Sequence, residues 1–234
     1  MDTPGFGWAN PQKSAEKVVI TQGKGFEVAD MESGYAGHLV EKFTSENGLR
    51  FAFTAGEFNA RMRLSMENYF DGIGKREELT EILTAGTSNG RPLKWEMMSI
   101  APNCAFKLHA HPNIEVIHVV WGKLHEFRFR GAPLKDYSAS AEDNEGPDFS
   151  QRPDAVFGHE YTEERGASED PTAGFLFNEK GSVHLSYTAA EGAHLLVLWS
   201  GCHANVPRDK YPPTGVIPAF PAGVETLHKD PHDK

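Results

Sequence analysis

His109-Ala110-His111-Pro112-Asn113-Ile114-Glu115, closed by Gly122, is the stretch whose reading decides the fold. Side chains two apart on a strand point to one face, so His109 and His111 project together. Glu115 keeps that parity, and a chain that dips at Pro112-Asn113 and resumes as a strand turns it toward the same interior. Two imidazoles and a carboxylate are costly to bury unless they serve something charged. A divalent metal ion would satisfy all three. Imidazole suits Fe, Zn, Ni, Co or Cu, and the added carboxylate favours Fe(II) or Mn(II). His118 has the opposite parity to Glu115 and is expected to face away, and His125 is not expected as a ligand either. For His194 and His203 only the fold decides.

Working outward, the region from residue 92 has a period of two. Leu93, Trp95 and Met97 alternate with Lys94 and Glu96. Further strands are expected at 106–111, 115–121, 123–130, 174–177, 182–188 and 194–200, with turns at Pro112-Asn113, Gly122 and Glu191-Gly192. Short strands without intervening helices imply an antiparallel sandwich or barrel. Upstream, Val18–Ile20 and Leu49–Phe53 read as short strands. Thr54 followed by Glu57 has the form of a capping box, and Phe58, Met62, Met66 and Phe70 follow at helical spacing until Asp71-Gly72. That stripe reads as core packing. A second helix is expected from Lys75 to Leu83, ending at Gly86. The expected organisation is one all-β domain over 91–205, an N-terminal arm with strands and helices over 1–90, and an extended Pro-rich tail over 206–234. His228 and His232 read as tail residues.

The 234 residues allow one generous domain, and 39% hydrophobic residues are enough for a core. Net charge is -10, which disfavours a nucleic-acid partner recruited by a basic surface. Ten acids between Ala141 and Asp170 against Arg152 and Arg165 give -8 of that -10. The stretch 131–173 is therefore read as an acidic insertion, solvated or lid-forming. Cys104 and Cys202 are too few for a disulfide framework and read as buried small hydrophobes. No apolar run reaches membrane-spanning length and the first residues lack the form of a signal peptide, so a cytoplasmic protein is expected.

His109, His111, Glu115 and Gly122 resemble the first motif of the cupin superfamily, Gly-x5-His-x-His-x3-4-Glu-x6-Gly. Asn103 stands where the leading glycine would be, and Asn is the non-glycine residue that best tolerates left-handed backbone angles. The second motif, Gly-x5-Pro-x-Gly-x2-His-x3-Asn, is matched at Gly181 and His184, with Glu179 and Thr188 replacing its proline and asparagine. The resemblance covers roughly residues 92–200. It implies a single jelly-roll barrel, His184 as a fourth ligand, and one divalent ion per chain, Fe(II) favoured over Mn, Ni, Zn or Co. Four protein ligands leave up to two positions open. Trp95, Phe106, Ile117 and Trp121 are the expected apolar walls of a substrate pocket. A dioxygenase acting on a small organic substrate is the leading expectation. A non-catalytic sensor or storage protein and a metal-dependent isomerase or lyase are the alternatives. Thiol dioxygenases lack the glutamate, and the cupin lyases of dimethylsulfoniopropionate carry tyrosine where this chain has Ile117. The resemblance and the apolar-studded tail favour a homodimer.

Overall fold

The computed structural model describes residues 18–25, 35–46, 53–129, 149, 152–159 and 174–227. The expected arm, nearly all of the strand expected at 49–53, most of the acidic insertion, and His228 and His232 lie outside them. Among the described residues three helices precede the main body of strands: α1 (Tyr35–Glu46), α2 (Ala55–Gly72) and α3 (Arg76–Ala85). The Thr54–Glu57 capping box forms in full at the start of α2, satisfying otherwise orphaned N–H groups. Phe58, Met62, Met66 and Phe70 are completely buried, which stabilises by roughly 1.5–3 kcal/mol for each side chain. α3 ends at Gly86, left-handed at φ 64°. The sequence reading does not anticipate α1. Gly37 explains its position, because a Cβ there would stand 2.3 Å from the Ala55 Cα. Only glycine lets the two helices approach so closely.

The described strands are β1 (Val18–Gly25), the short pair β2 (Thr87–Ser88) and β3 (Arg91–Pro92), β4 (Lys94–Ile100), β5 (Cys104–Ala105), β6 (His109–Ala110), β7 (Glu115–Phe129), β8 (Asp154–His159), β9 (Phe175–Asn178), β10 (Val183–Tyr187), β11 (Ala193–Trp199), β12 (Ala204–Asn205) and β13 (Glu225–Thr226). They form a curled, mostly antiparallel sheet consistent with a jelly roll. One layer runs β1–β4–β11–β7–β9. The other runs β8–β7–β10, continued by β5 and β6 and then by β13 and β12. The expected strands on either side of Gly122 are thus one 15-residue strand shared between layers. Glu115–Trp121 serves the first layer and Lys123–Phe129 the second. The corner falls at Gly122, at φ +79°, where a Cβ would stand 2.4 Å from the Gly192 carbonyl oxygen. That is the physical content of the motif's closing glycine. Asn103, in place of the leading glycine, is also left-handed, at φ 58°.

Alternation along the strands sorts the core into three parts. Met98, Ile100, Ile117, Leu195 and Val197 point between the layers. Trp95, Met97, Val116, Leu196 and Leu198 point outward beneath α2 and α3. On the far side, Phe127, Phe129, Leu185 and Tyr187 are covered by tail residues such as Tyr211, Ile217 and Phe220. The tail is pinned by hydrogen bonds from Glu225 N to Asn103 O (3.0 Å) and from Leu227 N to Ala105 O (2.8 Å). Inside the expected acidic insertion, β8 pairs along the second half of β7. The expected strand 106–111 is reduced to the short β6, with β5 just ahead of it. No helix among the described residues is long and apolar enough to cross a membrane.

Candidate metal centre

His109 lies on β6 directly opposite His184 on β10. His111 follows two residues later, and Glu115 opens β7. The dip between them is held from several sides. Ile114 N donates to Ser88 Oγ (3.2 Å), Asn89 Nδ2 to the Pro112 carbonyl (3.2 Å), and Ser200 Oγ to Asn113 Oδ1 (2.7 Å). Gly181, left-handed at φ 74°, donates its N–H to the His111 carbonyl at 2.8 Å. The second motif's glycine therefore fastens one ligand segment to the other.

The structure brings His109, His111, Glu115 and His184 together, all nearly inaccessible to solvent. One ligating atom from each of the three histidines lies within 4.8 Å of the others. Glu115 Oε2 is 3.4 Å from His111 Nε2 and 3.5 Å from His184 Nε2. Each histidine turns Nδ1 to a backbone carbonyl: Lys107 at 2.7 Å, Cys202 at 2.9 Å and Ser182 at 2.9 Å, for His109, His111 and His184 respectively. A carbonyl only accepts, so Nδ1 must carry the proton and Nε2 keeps its lone pair in the neutral ring. Nε2 of both His111 and His184 is buried without a hydrogen-bond partner. Orphaned lone pairs facing a buried carboxylate fit a divalent cation.

Electrostatics point the same way. Burial, helped by the neighbouring His184 and His111, holds the His109 pKa well below its usual value. Burial also pushes His111 down, but the Glu115 carboxylate outweighs it and the net shift is upward. Burial would raise Glu115, yet His111 and His184 together hold it well below the ordinary carboxylate range. Without a metal, the carboxylate favours the protonated form of His111. The site asks for positive charge.

Beside the cluster lies a cavity with about 430 Å³ of free space including its mouth. Its enclosed part is narrow, with room for about two waters. Phe106 and Ile117 line it, with Met98, Leu124 and Val197. Trp95 and Trp121 do not. Trp95 has the parity of Met97 and packs beneath the helices. Trp121 sits at the Gly122 corner, its ring 5.5 Å from that of His194. His203 does line the cavity, its ring 5.7 Å from that of His109. His194 turns away and shares a 2.8 Å hydrogen bond with Ser99 Oγ. His118 faces outward between Phe58 and Phe175, and burial lowers its pKa to about 3. Cys104 is buried, whereas Cys202 is exposed, contrary to expectation. Its backbone matters more than its thiol, since its carbonyl orients His111.

Sequence reasoning missed Glu126, Asn178, Ser186 and Trp199. Ser186 was within reach, being two residues after His184 on one strand. Trp199 shares the parity of Leu195 and Val197. Glu126 shares the parity of Leu124, but a charged residue in His125-Glu126-Phe127-Arg128 reads as solvent-facing. Asn178 carries no signal in the sequence.

No family model matches this sequence, and no curated protein does either. Similarity to solved structures is partial. DMSP lyase DddQ from Ruegeria pomeroyi is 16% identical over 48% of this chain and 42% of its own, at a TM-score of 0.30. Oxalate decarboxylase from Bacillus subtilis at pH 4.6 is 14% identical over 50% of this chain and 24% of its own, at a TM-score of 0.34. This chain thus spans less than half the length of either neighbour, and scores this low decide neither fold nor reaction. The curled two-layer sheet and its histidine–glutamate cluster are, on their own geometry, consistent with a member of the cupin superfamily whose subfamily is unresolved.

Proposed function

We propose that this chain is a metal-dependent enzyme that holds one divalent ion through His109, His111, His184 and Glu115 and acts on a small organic substrate. The observation that carries this reading is the convergence of histidine lone pairs and one carboxylate beside a cavity. A closed site with no adjoining space would instead favour a sensor or storage protein. Fe(II) is the favoured ion, because a three-nitrogen, one-oxygen donor set with open positions suits it. We further propose a dioxygenase, in which the ion would supply activation of dioxygen and substrate. The chain's own part is to orient the imidazoles through backbone carbonyls, to keep water scarce, and to seat an apolar substrate against Phe106 and Ile117. Anaerobic reconstitution with Fe(II), followed by an oxygen-uptake screen of diketones, phenols and thiols, tests this. The dioxygenase reading fails if none consumes oxygen.

His203 supports a second reading. An imidazole at the cavity wall could move a proton on a bound substrate, as a metal-dependent lyase or isomerase requires. Turnover at equal rates with and without oxygen would favour that reaction class.

A further inference from the structure

Asn178 ends β9 directly opposite Glu115 in the strand register and is 1% exposed. Its Nδ2 donates to Glu115 Oε2 at 2.9 Å and reaches Glu126 Oε1 at 3.3 Å. The reverse amide orientation would set Oδ1 against two carboxylates, so chemistry fixes the donor toward them. Glu126 is itself immobilised. Ser186 Oγ donates to its Oε1 at 3.0 Å, and Arg128 Nε to its Oε2 at 2.8 Å. Donor atoms of Glu126, Glu115 and His184 also lie within 4.8 Å of one another. Glu126 Oε1 already accepts from two donors, however, and its charge is already paired with Arg128, so Glu126 serves as an anchor and not as a further ligand.

We propose that Asn178 is a positioning residue, the link by which the Arg128–Glu126 pair fixes the orientation of Glu115. This rests on the metal-centre reading above. The oxygen that Asn178 holds is the one facing His111 and His184. With that oxygen restrained, the carboxylate presents a single donor and cannot swing into the cavity. Partners that orient metal ligands typically change affinity 10- to 100-fold when removed.

The test uses Co(II), whose visible spectrum reports coordination, titrated against a competing chelator. Asn178→Leu keeps the side chain's bulk and removes the donor. The expected result is Co(II) binding about 10- to 100-fold weaker than wild type, an altered visible spectrum and an unchanged far-ultraviolet circular dichroism. Wild-type affinity together with a wild-type spectrum would overturn the proposal. If Asn178→Leu does not fold, Asn178→Ser, whose hydroxyl is too short to span both carboxylates, is read by the same criteria. His111→Ala in the same titration separates the two levels. Should it bind Co(II) as wild type does, the metal centre itself is misread and the Asn178 proposal falls with it. Should it lose Co(II) while Asn178→Leu behaves as wild type, only the positioning role is refuted.

Discussion

Gly122 carries the corner on which both layers and the site depend, and replacing it with alanine has a cost that can be worked out. At φ +79° a residue with a Cβ is strained, by about 1–2 kcal/mol. The new Cβ would also stand 2.4 Å from the Gly192 carbonyl oxygen, and backbone cannot give way as a flexible side chain can. Relieving that clash costs about 1–3 kcal/mol, and it disturbs the 3.2 Å hydrogen bond from Lys123 N to the same oxygen. Gly122→Ala should therefore destabilise by about 3 kcal/mol, lowering Tm by about 6–12 °C for a chain of this size. Gly90→Ala is the internal control. Its φ is +69°, but nothing lies within 4 Å of a Cβ there, so only backbone strain of about 1 kcal/mol should appear. Urea and thermal denaturation of both variants, followed by circular dichroism, measure the difference. Equal losses would show that close approach to Gly192 does not constrain the corner.

His118→Phe should make the protein more resistant to acid. The folded-state pKa of about 3 lies below the ordinary 6.5, so the folded chain binds fewer protons, and stability present above pH 6.5 is lost as pH falls toward 3. The loss is about 1.4 kcal/mol per pH unit; between pH 7.5 and 5, the unfolding free energy of the variant, measured by urea titration, should therefore fall by about 2 kcal/mol less than that of wild type. His194, also lowered to about 3, keeps a similar slope in both proteins. Stripping the metal with a chelator should lower Tm and adding it back should restore it, a hundredfold excess over Kd contributing about 2.7 kcal/mol of stability; scanning calorimetry checks this. Apparent metal affinity should weaken on acidification because protons compete with the ion for His111, whose pKa Glu115 raises, whereas His109 stays neutral and Glu115 ionised; calorimetric titration in buffers of different ionisation enthalpy counts the protons released. Thr188→Val should cost about 1–2 kcal/mol without changing metal affinity, since Thr188 Oγ1 ties Ala101 O (2.7 Å) to Cys104 N (3.2 Å) away from the cluster.

The parts of the fold legible in the sequence are those where one local pattern meets no competitor. The Thr54–Glu57 box followed by Phe58, Met62, Met66 and Phe70 needs only helical spacing, and α2 forms there. Period-two alternation located β4, β10 and β11. It failed at Trp95 because both faces of β4 are buried, one between the layers and one under the helices. Hydropathy alone cannot say which buried face is which. Helix α1 depends on contact between Gly37 and Ala55, a tertiary fact with no local trace. The clustering of His109, His111 and Glu115 was legible because parity is local, and that of His184 through half of a motif. Asn178 was not, because its role comes from facing Glu115 across a strand pair 63 residues apart in sequence.

The buried acids say why the cluster calls for a cation independently of any motif. Among the described residues three glutamates are at most 6% exposed: Glu96, Glu115 and Glu126. Burying a carboxylate is expensive unless an opposite charge comes with it. Glu96 has Lys94 Nζ at 2.6 Å and the Trp199 indole N–H at 2.7 Å. Glu126 has Arg128 at 2.8 Å. Glu115 is met by imidazoles and the Asn178 amide, with the Glu126 carboxylate within 4.8 Å. Its charge favours the protonated form of His111, against the burial that favours the neutral ring. The chain thus supplies a permanent cation to two of its three buried glutamates. At the third it supplies a set of lone pairs, and a divalent ion there would answer the carboxylate and the orphaned imidazole nitrogens at once.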